Sequence, residues 1–356
     1  MGTRVLIIDD SATMRALLHV MIDREPDLEV VGEAANAIEG RAQIKALNPD
    51  VVTLDIEMPG MSGLDFLDKI MRLRPTPVII VSTLTQEGAS ATVRALELGA
   101  VDCYAKPTGS SGEMLHDEGR LADLIRRAAK ANLVRSFQIE ATTPYERPML
   151  AQSPAPVGRE RIENGIIAIG ASTGGVEALH HVLRRFPEDC PPTVIVQHIN
   201  GSFAAAMANR LNEQCAPRVM LAESDTVLRQ GHVYIAPGNE RHMTVRLGTD
   251  GKVYSRLRPG ELCSGHRPSI DMLFKSVAEQ LPRRAVGILL TGMGSDGAQG
   301  LLAIRNAGCP TIAQDQATCV VYGMPKVAAE IGAAVHVLGL PRIAEKALSM
   351  VAQHVC

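Results

Sequence analysis

From about residue 5 to residue 106 the chain alternates short apolar runs with longer segments whose apolar residues recur every three or four positions. The runs at 5–8, 28–31, 51–54, 77–81 and 101–105 predict buried strands. The segments at 14–22, 37–47, 64–73 and 90–98 predict helices. Five such alternations imply a parallel, doubly wound sheet with ligands outside the carboxyl ends of its strands. A second alternation begins at Ile166 and runs to about Val351. Between the two lie Gly109-Ser110-Ser111-Gly112, Thr142-Thr143-Pro144 and a proline-rich stretch from Pro148 to Pro156, which mark a linker. A one-sided stripe of Leu121, Leu124, Ile125, Ala128, Ala129 and Leu133 predicts a helix between Gly119 and Phe137 that ends the first domain and extends into that linker. The expectation is an α/β protein with two doubly wound domains: residues 1–125, a linker at 126–163, and residues 164–356.

Composition narrows the function. A chain of 356 residues suggests about two domains, and a net charge of -3 leaves no electrostatic footprint for nucleic acid. The absence of Trp and an aromatic content of 3% argue against platforms that stack bases or sugars. Seven scattered Cys residues without a Cys-x-x-Cys pair fit a reduced, cytoplasmic protein better than a disulfide framework or a zinc site. No signal-peptide pattern opens the chain and no apolar run approaches a membrane span, so no membrane insertion is expected.

Chemistry concentrates where the strands end. In the first domain Asp9 and Asp10 follow the first strand, Asp55 the third, Ser82 closes the fourth and Lys106 the fifth. In a parallel sheet these lie at one edge. Three converging carboxylates repel one another unless a cation joins them, and an oxygen cluster of this kind suits Mg²⁺. Lys106 and Ser82 can then hold a phosphoryl group.

This pattern resembles the receiver domain of two-component response regulators, over about residues 3–125. The matching stretches are Val5-Leu6-Ile7-Ile8-Asp9-Asp10-Ser11, Leu54-Asp55-Ile56-Glu57-Met58-Pro59 and Ala105-Lys106-Pro107. The resemblance implies a flavodoxin-like fold, Asp55 as phosphoacceptor, Asp9 and Asp10 with Asp55 as Mg²⁺ acids, Ser82 as switch hydroxyl and Lys106 as phosphoryl partner. One departure is Cys103, three residues before the Lys, where receivers often carry an aromatic switch. The aromatic relay is therefore in doubt, with Tyr104 next door as a substitute.

The second domain opens with a strand-like run at 166–169 and the turn Gly170-Ala171-Ser172-Thr173-Gly174-Gly175 before a helical pattern. Such a turn presents backbone N–H groups and a positive helix end. Three uses fit it: a phosphate cradle, a Ser N-cap, or a serine nucleophile beside oxyanion donors. His198 closes the next strand, and the run at 286–290 ends in Thr291-Gly292-Met293-Gly294-Ser295-Asp296-Gly297. Adjacent strand ends lie about 4.8 Å apart, so a Ser, a His and an Asp at such ends can meet. The imidazole would take the serine proton, and the carboxylate would fix its tautomer. As lone residues, His198 reads equally as a core histidine and Asp296 as a turn residue. A dinucleotide site is disfavoured, because its motif needs Gly at 172 and an acid after the second strand.

These stretches resemble the methylesterase domain of chemotaxis response regulators, the CheB family. Further matches are Val196-Gln197-His198, Tyr234-Ile235-Ala236-Pro237-Gly238, His266-Arg267-Pro268-Ser269 and Tyr322-Gly323-Met324-Pro325. The resemblance implies a protein-glutamate methylesterase with Ser172 as nucleophile, His198 as base and Asp296 as orienting acid. It implies hydrolysis of glutamate methyl esters on chemoreceptor cytoplasmic helices, methanol release, and glutamine deamidation by the same attack. It also implies a chemotaxis histidine kinase as phosphodonor, no cofactor for hydrolysis, and a receiver that covers the active-site mouth until Asp55 is phosphorylated. Thr173 and Met293 match positions lining that site, and their glycine-rich turns suggest their N–H groups as oxyanion donors. The stretch from His266 to Ser269 reads either as a helix entry with Ser269 as N-cap or as part of a substrate groove in which Arg267 meets an acidic helix. His180-His181 reads as packing or surface. The rival reading is a phosphorylation-controlled binding module that holds a nucleotide or a protein on the Ser172 loop without turnover. A transcription-factor effector is disfavoured, since the second half lacks a basic helix-turn-helix pattern.

Overall fold

A computed structural model describes residues 2–106, 119–131, 133, 165–238 and 241–354. The chain divides at residues 134 and 135 into two compact units.

The first unit runs β1 (Thr3–Ile8), α1 (Ala12–Asp23), β2 (Leu28–Ala34), α2 (Ala37–Leu47), β3 (Val51–Asp55), α3 (Gly63–Leu73), β4 (Val78–Ser82), α4 (Gln86–Glu97), β5 (Asp102–Ala105) and α5 (Arg120–Ala128). Its sheet has the order β2-β1-β3-β4-β5, every pair parallel, which is the flavodoxin-like arrangement. β3 and β4 are buried along their whole length, which is why their sequences are continuous apolar runs rather than alternating ones. The first four helices begin at polar caps: Ser11, Asn36, Ser62 and Thr85 each accept a backbone N–H from their own first turn. α5 buries Leu121, Leu124, Ile125 and Ala128 against α1, β1, β4 and β5, as the stripe predicts. It ends at Ala128, where Ala129 and Lys130 turn, and most of the expected stretch to Phe137 beyond them lies outside the described residues. The expected linker lies almost wholly outside the described residues.

The second unit runs β6 (Ile166–Ala171), α6 (Gly175–Leu183), β7 (Thr193–Gln197), α7 (Gly201–Gln214), β8 (Arg218–Leu221), β9 (His232–Ile235), β10 (Arg241–Leu247), β11 (Val253–Pro259), α8 (Ile270–Gln280), β12 (Ala285–Leu289), α9 (Ala298–Asn306), β13 (Thr311–Gln314), α10 (Met324–Glu330), β14 (His336–Leu338) and α11 (Leu340–His354). Seven parallel strands form one sheet in the order β14-β13-β12-β6-β7-β9-β8. β10 and β11 form a separate antiparallel ribbon, packed on α8, that the apolar pattern does not announce. The chain grows outward from β6 through β7 in one direction and from β12 in the other. The crevice at the carboxyl ends of β6 and β12 is therefore the topological switch point, where open α/β sheets bind ligands. α8 anchors the region: Ile270, Leu273, Phe274 and Val277 are wholly buried in the core formed with the sheet and the ribbon.

Among the described residues no helix is long and apolar enough to cross a membrane. Cys103, Cys190, Cys215, Cys263, Cys309 and Cys319 are free thiols.

Candidate active site

The acidic edge of the first unit assembles as expected. Asp9 leaves β1, Asp55 ends β3, and Lys106 leaves β5. Lys106 Nζ lies 2.7 Å from Asp55 Oδ2 and 3.0 Å from Asp9 Oδ2. Asp9, Asp10 and Asp55 each offer a carboxylate oxygen within 4.8 Å of the others. Asp9 and Asp55 are buried, whereas Asp10 is exposed. Asp9 Oδ1 accepts from Ser11 N at 2.9 Å, and its buried Oδ2 faces the Lys106 ammonium. Three carboxylates, two of them buried, offer an all-oxygen donor set that fits a hard divalent cation. Burial pushes the Asp55 carboxyl up; Lys106 offsets part of that rise and Asp9 adds to it. Burial alone would lower the Lys106 ammonium, but the two carboxylates outweigh it and hold it above its ordinary value. Ser82 is buried with its hydroxyl turned toward the Gly88 carbonyl on α4, at 3.3 Å; its own carbonyl accepts from Lys106 N at 2.8 Å, but its hydroxyl bonds to neither the Asp55 nor the Lys106 side chain. Cys103 sits on β5 opposite Ile80, and burial pushes its thiol well up.

In the second unit the strand register builds the site. Ser172 follows the end of β6 and His198 the end of β7, and the preceding residues, Ala171 and Gln197, are register partners. His198 N donates to Ala171 O at 3.1 Å. Gln197 Nε2 donates to Ser172 O at 2.8 Å and to His198 O at 3.3 Å, tying the two backbones together. From the other side Ser172 N donates to Thr291 O, beyond the end of β12, at 3.0 Å.

Two glycines let the turns approach this closely. Gly174 caps α6 with φ +74°, a left-handed conformation that favours glycine. A Cβ on Gly292 would stand 2.6 Å from the Ser172 Cβ, so no larger residue fits beside that serine.

Asp296 is buried on the turn after β12 and accepts four hydrogen bonds. His198 Nε2 and Ile270 N both reach Oδ2 at 2.8 Å. Ser269 Oγ reaches Oδ1 at 2.8 Å and Asp271 N at 3.1 Å. Two of these donors are the first N–H groups of α8, so the positive end of that helix faces the carboxylate. Burial alone would raise the Asp296 carboxyl, but the hydrogen bond and charge of His198, with the Ile270 and Ser269 bonds, hold it below its ordinary value. An ionised Asp296 only accepts, so His198 must present N–H at Nε2, leaving Nδ1 as its bare nitrogen when neutral. That Nδ1 is buried and has no hydrogen-bond partner. The structure thus joins His198 to Asp296 and sets Ser172 on the adjoining strand, without closing a Ser172–His198 hydrogen bond. Contacts of this kind commonly tighten only with substrate in place.

Thr173 is buried, its carbonyl accepting from Thr291 Oγ1 at 3.0 Å, and Met293 follows Gly292 half-buried on the facing turn. Ser269 is the α8 N-cap, accepting from Met272 N, and its own proton goes to Asp296. His181, on α6, is held down to about 4 by burial and neighbouring cations, which makes it neutral packing at neutral pH.

Two contacts escape sequence reasoning: the Gln197 clamp, and the His266 ring stacked on that of His198 with centroids 3.7 Å apart. Their only signal was membership of stretches already matched on other residues.

Known proteins resemble this chain along nearly its whole length. The CheB methylesterase family matches residues 167–347, and the response regulator receiver domain family matches residues 5–116. A protein-glutamate methylesterase/protein-glutamine glutaminase of Agrobacterium fabrum is 50% identical, over 98% of this chain and 96% of that protein. One from Caulobacter vibrioides is 49% identical, over 98% of this chain and 97% of that protein. The crystal structure of the Thermotoga maritima CheB methylesterase catalytic domain aligns with TM-score 0.51 and 36% identity, covering 52% of this chain and 98% of that one. With a receiver in front and the Ser172, His198 and Asp296 turns behind, the chain belongs to the CheB methylesterase family.

Proposed function

We propose that this chain is a phosphorylation-controlled protein-glutamate methylesterase and protein-glutamine glutaminase of chemotaxis adaptation, acting in the cytoplasm on the helices of chemoreceptors. Ser172 attacks the ester carbonyl while His198 Nδ1 takes its proton. The oxyanion gathers on the N–H groups of Thr173 and Met293. His198 returns the proton to the leaving methoxide, methanol departs, and an acyl-serine remains. Water then attacks the acyl-serine with His198 again as base, giving free glutamate and restored Ser172. A glutamine side chain follows the same steps and releases ammonia. The imidazolium that forms twice per turnover sits against ionised Asp296 at 2.8 Å, which stabilises it.

In the first unit Asp55 is the phosphoacceptor for a histidine kinase. Asp9, Asp10 and Asp55 would hold Mg²⁺, which neutralises charge on the transferring phosphoryl group. Lys106, already between Asp9 and Asp55, pairs with the phosphoryl oxygens on Asp55. Ser82 must leave Gly88 O to reach the same group, and that exchange loosens its tie to α4. A tenfold activation asks only about 1.4 kcal/mol of coupling between the two units.

The observation that carries the reading is the His198–Asp296 pair at the end of the strand adjoining Ser172. The test is methanol release from methylated chemoreceptor membranes with and without a small phosphodonor and Mg²⁺. Release that rises with the donor and disappears in Ser172→Ala supports it. No release under either condition turns the reading toward a binding module.

A further inference from the structure

The segment between β11 and α8 does more than enter a helix. Cys263 and His266 exchange backbone hydrogen bonds, Cys263 N to His266 O at 3.1 Å and His266 N to Cys263 O at 3.0 Å. Ser264 and Gly265 between them take φ of +53° and +78°, as a tight primed hairpin turn requires. On the other flank Arg267 donates from NH1 to Gly260 O at 2.7 Å, and Ser269 caps α8 and donates to Asp296. His266 is therefore fixed from both sides. Its ring lies flat on that of His198, with centroids 3.7 Å apart and planes 11° from parallel. One short segment thus holds the base in two ways, Ser269 through the carboxylate behind it and His266 through its face.

We propose that His266 is a positioning residue for His198. This rests on the reading of His198 as general base. The stacked ring stops the imidazole from rotating away from Asp296 and keeps water off one face. Its π-face also lies against the imidazolium that forms when Ser172 gives up its proton, an attraction available while His266 itself is neutral.

The test uses the full-length protein with His266→Ala and His266→Phe. It reads kcat on a small aryl ester and the NMR signal of the His198 Nε2–H hydrogen-bonded to Asp296. His266→Ala loses about three- to tenfold in kcat, the rate equivalent of one aromatic pair. His266→Phe, which keeps a flat ring, recovers most of that loss. The Nε2–H signal is sharp in the parent and in His266→Phe, and it is broadened by exchange with water in His266→Ala. Parental kcat in His266→Ala, or a His198 Nε2–H signal unchanged by that substitution, overturns the proposal. His266→Phe as impaired as His266→Ala while circular dichroism is unchanged also overturns it. A parent without esterase turnover fails the reading of the site instead, and the Nε2–H signal still reports on the pair.

Discussion

Asp296→Asn preserves the size of a buried side chain and removes its charge. Each carboxylate oxygen accepts two hydrogen bonds, and one of each pair comes from a backbone N–H: Ile270 on Oδ2 and Asp271 on Oδ1. In either orientation the new amide NH₂ therefore faces a backbone N–H that cannot turn away. One unsatisfied buried donor costs about 1–3 kcal/mol. For a unit of this size that lowers Tm by roughly 3–10 °C. The catalytic loss is larger. With the amide carbonyl toward His198 the base keeps its tautomer, but its imidazolium forms beside a neutral group. With the NH₂ toward His198, Nε2 must accept, Nδ1 carries the proton, and no base remains for Ser172. A loss in kcat of about 10³–10⁴ is expected, as for removal of the same charge from other triads. Methanol release measures it, and a circular-dichroism melt separates it from unfolding. A well-folded variant within tenfold of the parental kcat would refute the assigned role. The pH dependence has a defined sign. The folded value of Asp296 is depressed, so its stabilisation is fully present above the unfolded value and is lost as pH falls through the folded one. The stability gap between parent and variant should hold steady above about pH 5 and narrow below about pH 4.

Gly292→Ala forces a methyl to within 2.6 Å of the Ser172 Cβ and of the Met324 Cε. Met324 can yield but the serine turn cannot, so kcat should fall about 100-fold in the esterase assay with a modest drop in Tm. Asp271 is buried beside Asp296; burial above all pushes its carboxyl up, so its ionisation costs the folded state stability as pH rises through the folded value. Asp271→Asn keeps an acceptor for Gly300 N and should leave neutral-pH stability unchanged or raised by about 1 kcal/mol, a gain that vanishes in acid where both forms are neutral; a large loss at pH 7 in denaturant titration contradicts this. Lys106→Met leaves Asp9 and Asp55 without their shared cation. The first unit should lose about 3 kcal/mol at neutral pH by urea titration, and the response to phosphodonor should disappear.

Much of this architecture is legible in the sequence because a parallel sheet brings its functional residues to one edge. An apolar run followed by a chemically distinctive residue is a local signal, and Asp9, Asp55, Lys106, Ser172, His198 and Asp296 each stand at such a place. What is not legible depends on contacts far apart in the chain. Ser269 satisfies the local rule for an N-cap, and nothing nearby says that its proton reaches Asp296, a contact set by the packing of α8 against the β12 turn. The same distance hides the stack of His266 on His198 and the clamp of Gln197 on Ser172 O. Strand order is equally hidden. The pattern predicts strands, but not that β9 inserts between β7 and β8. The position of Ser82 predicts a hydroxyl for a phosphoryl group, but in this structure the hydroxyl is held by Gly88 O on α4.

The central claim is that Ser172 carries the acyl group. Rapid acid quench of the protein during turnover of a slow ester, followed by peptide mass analysis, tests it directly. The account predicts the acyl mass on the peptide containing Ser172, at higher occupancy when phosphodonor and Mg²⁺ are present, and on no other peptide. Turnover that proceeds with Ser172 unmodified, or that survives in Ser172→Ala, would contradict it.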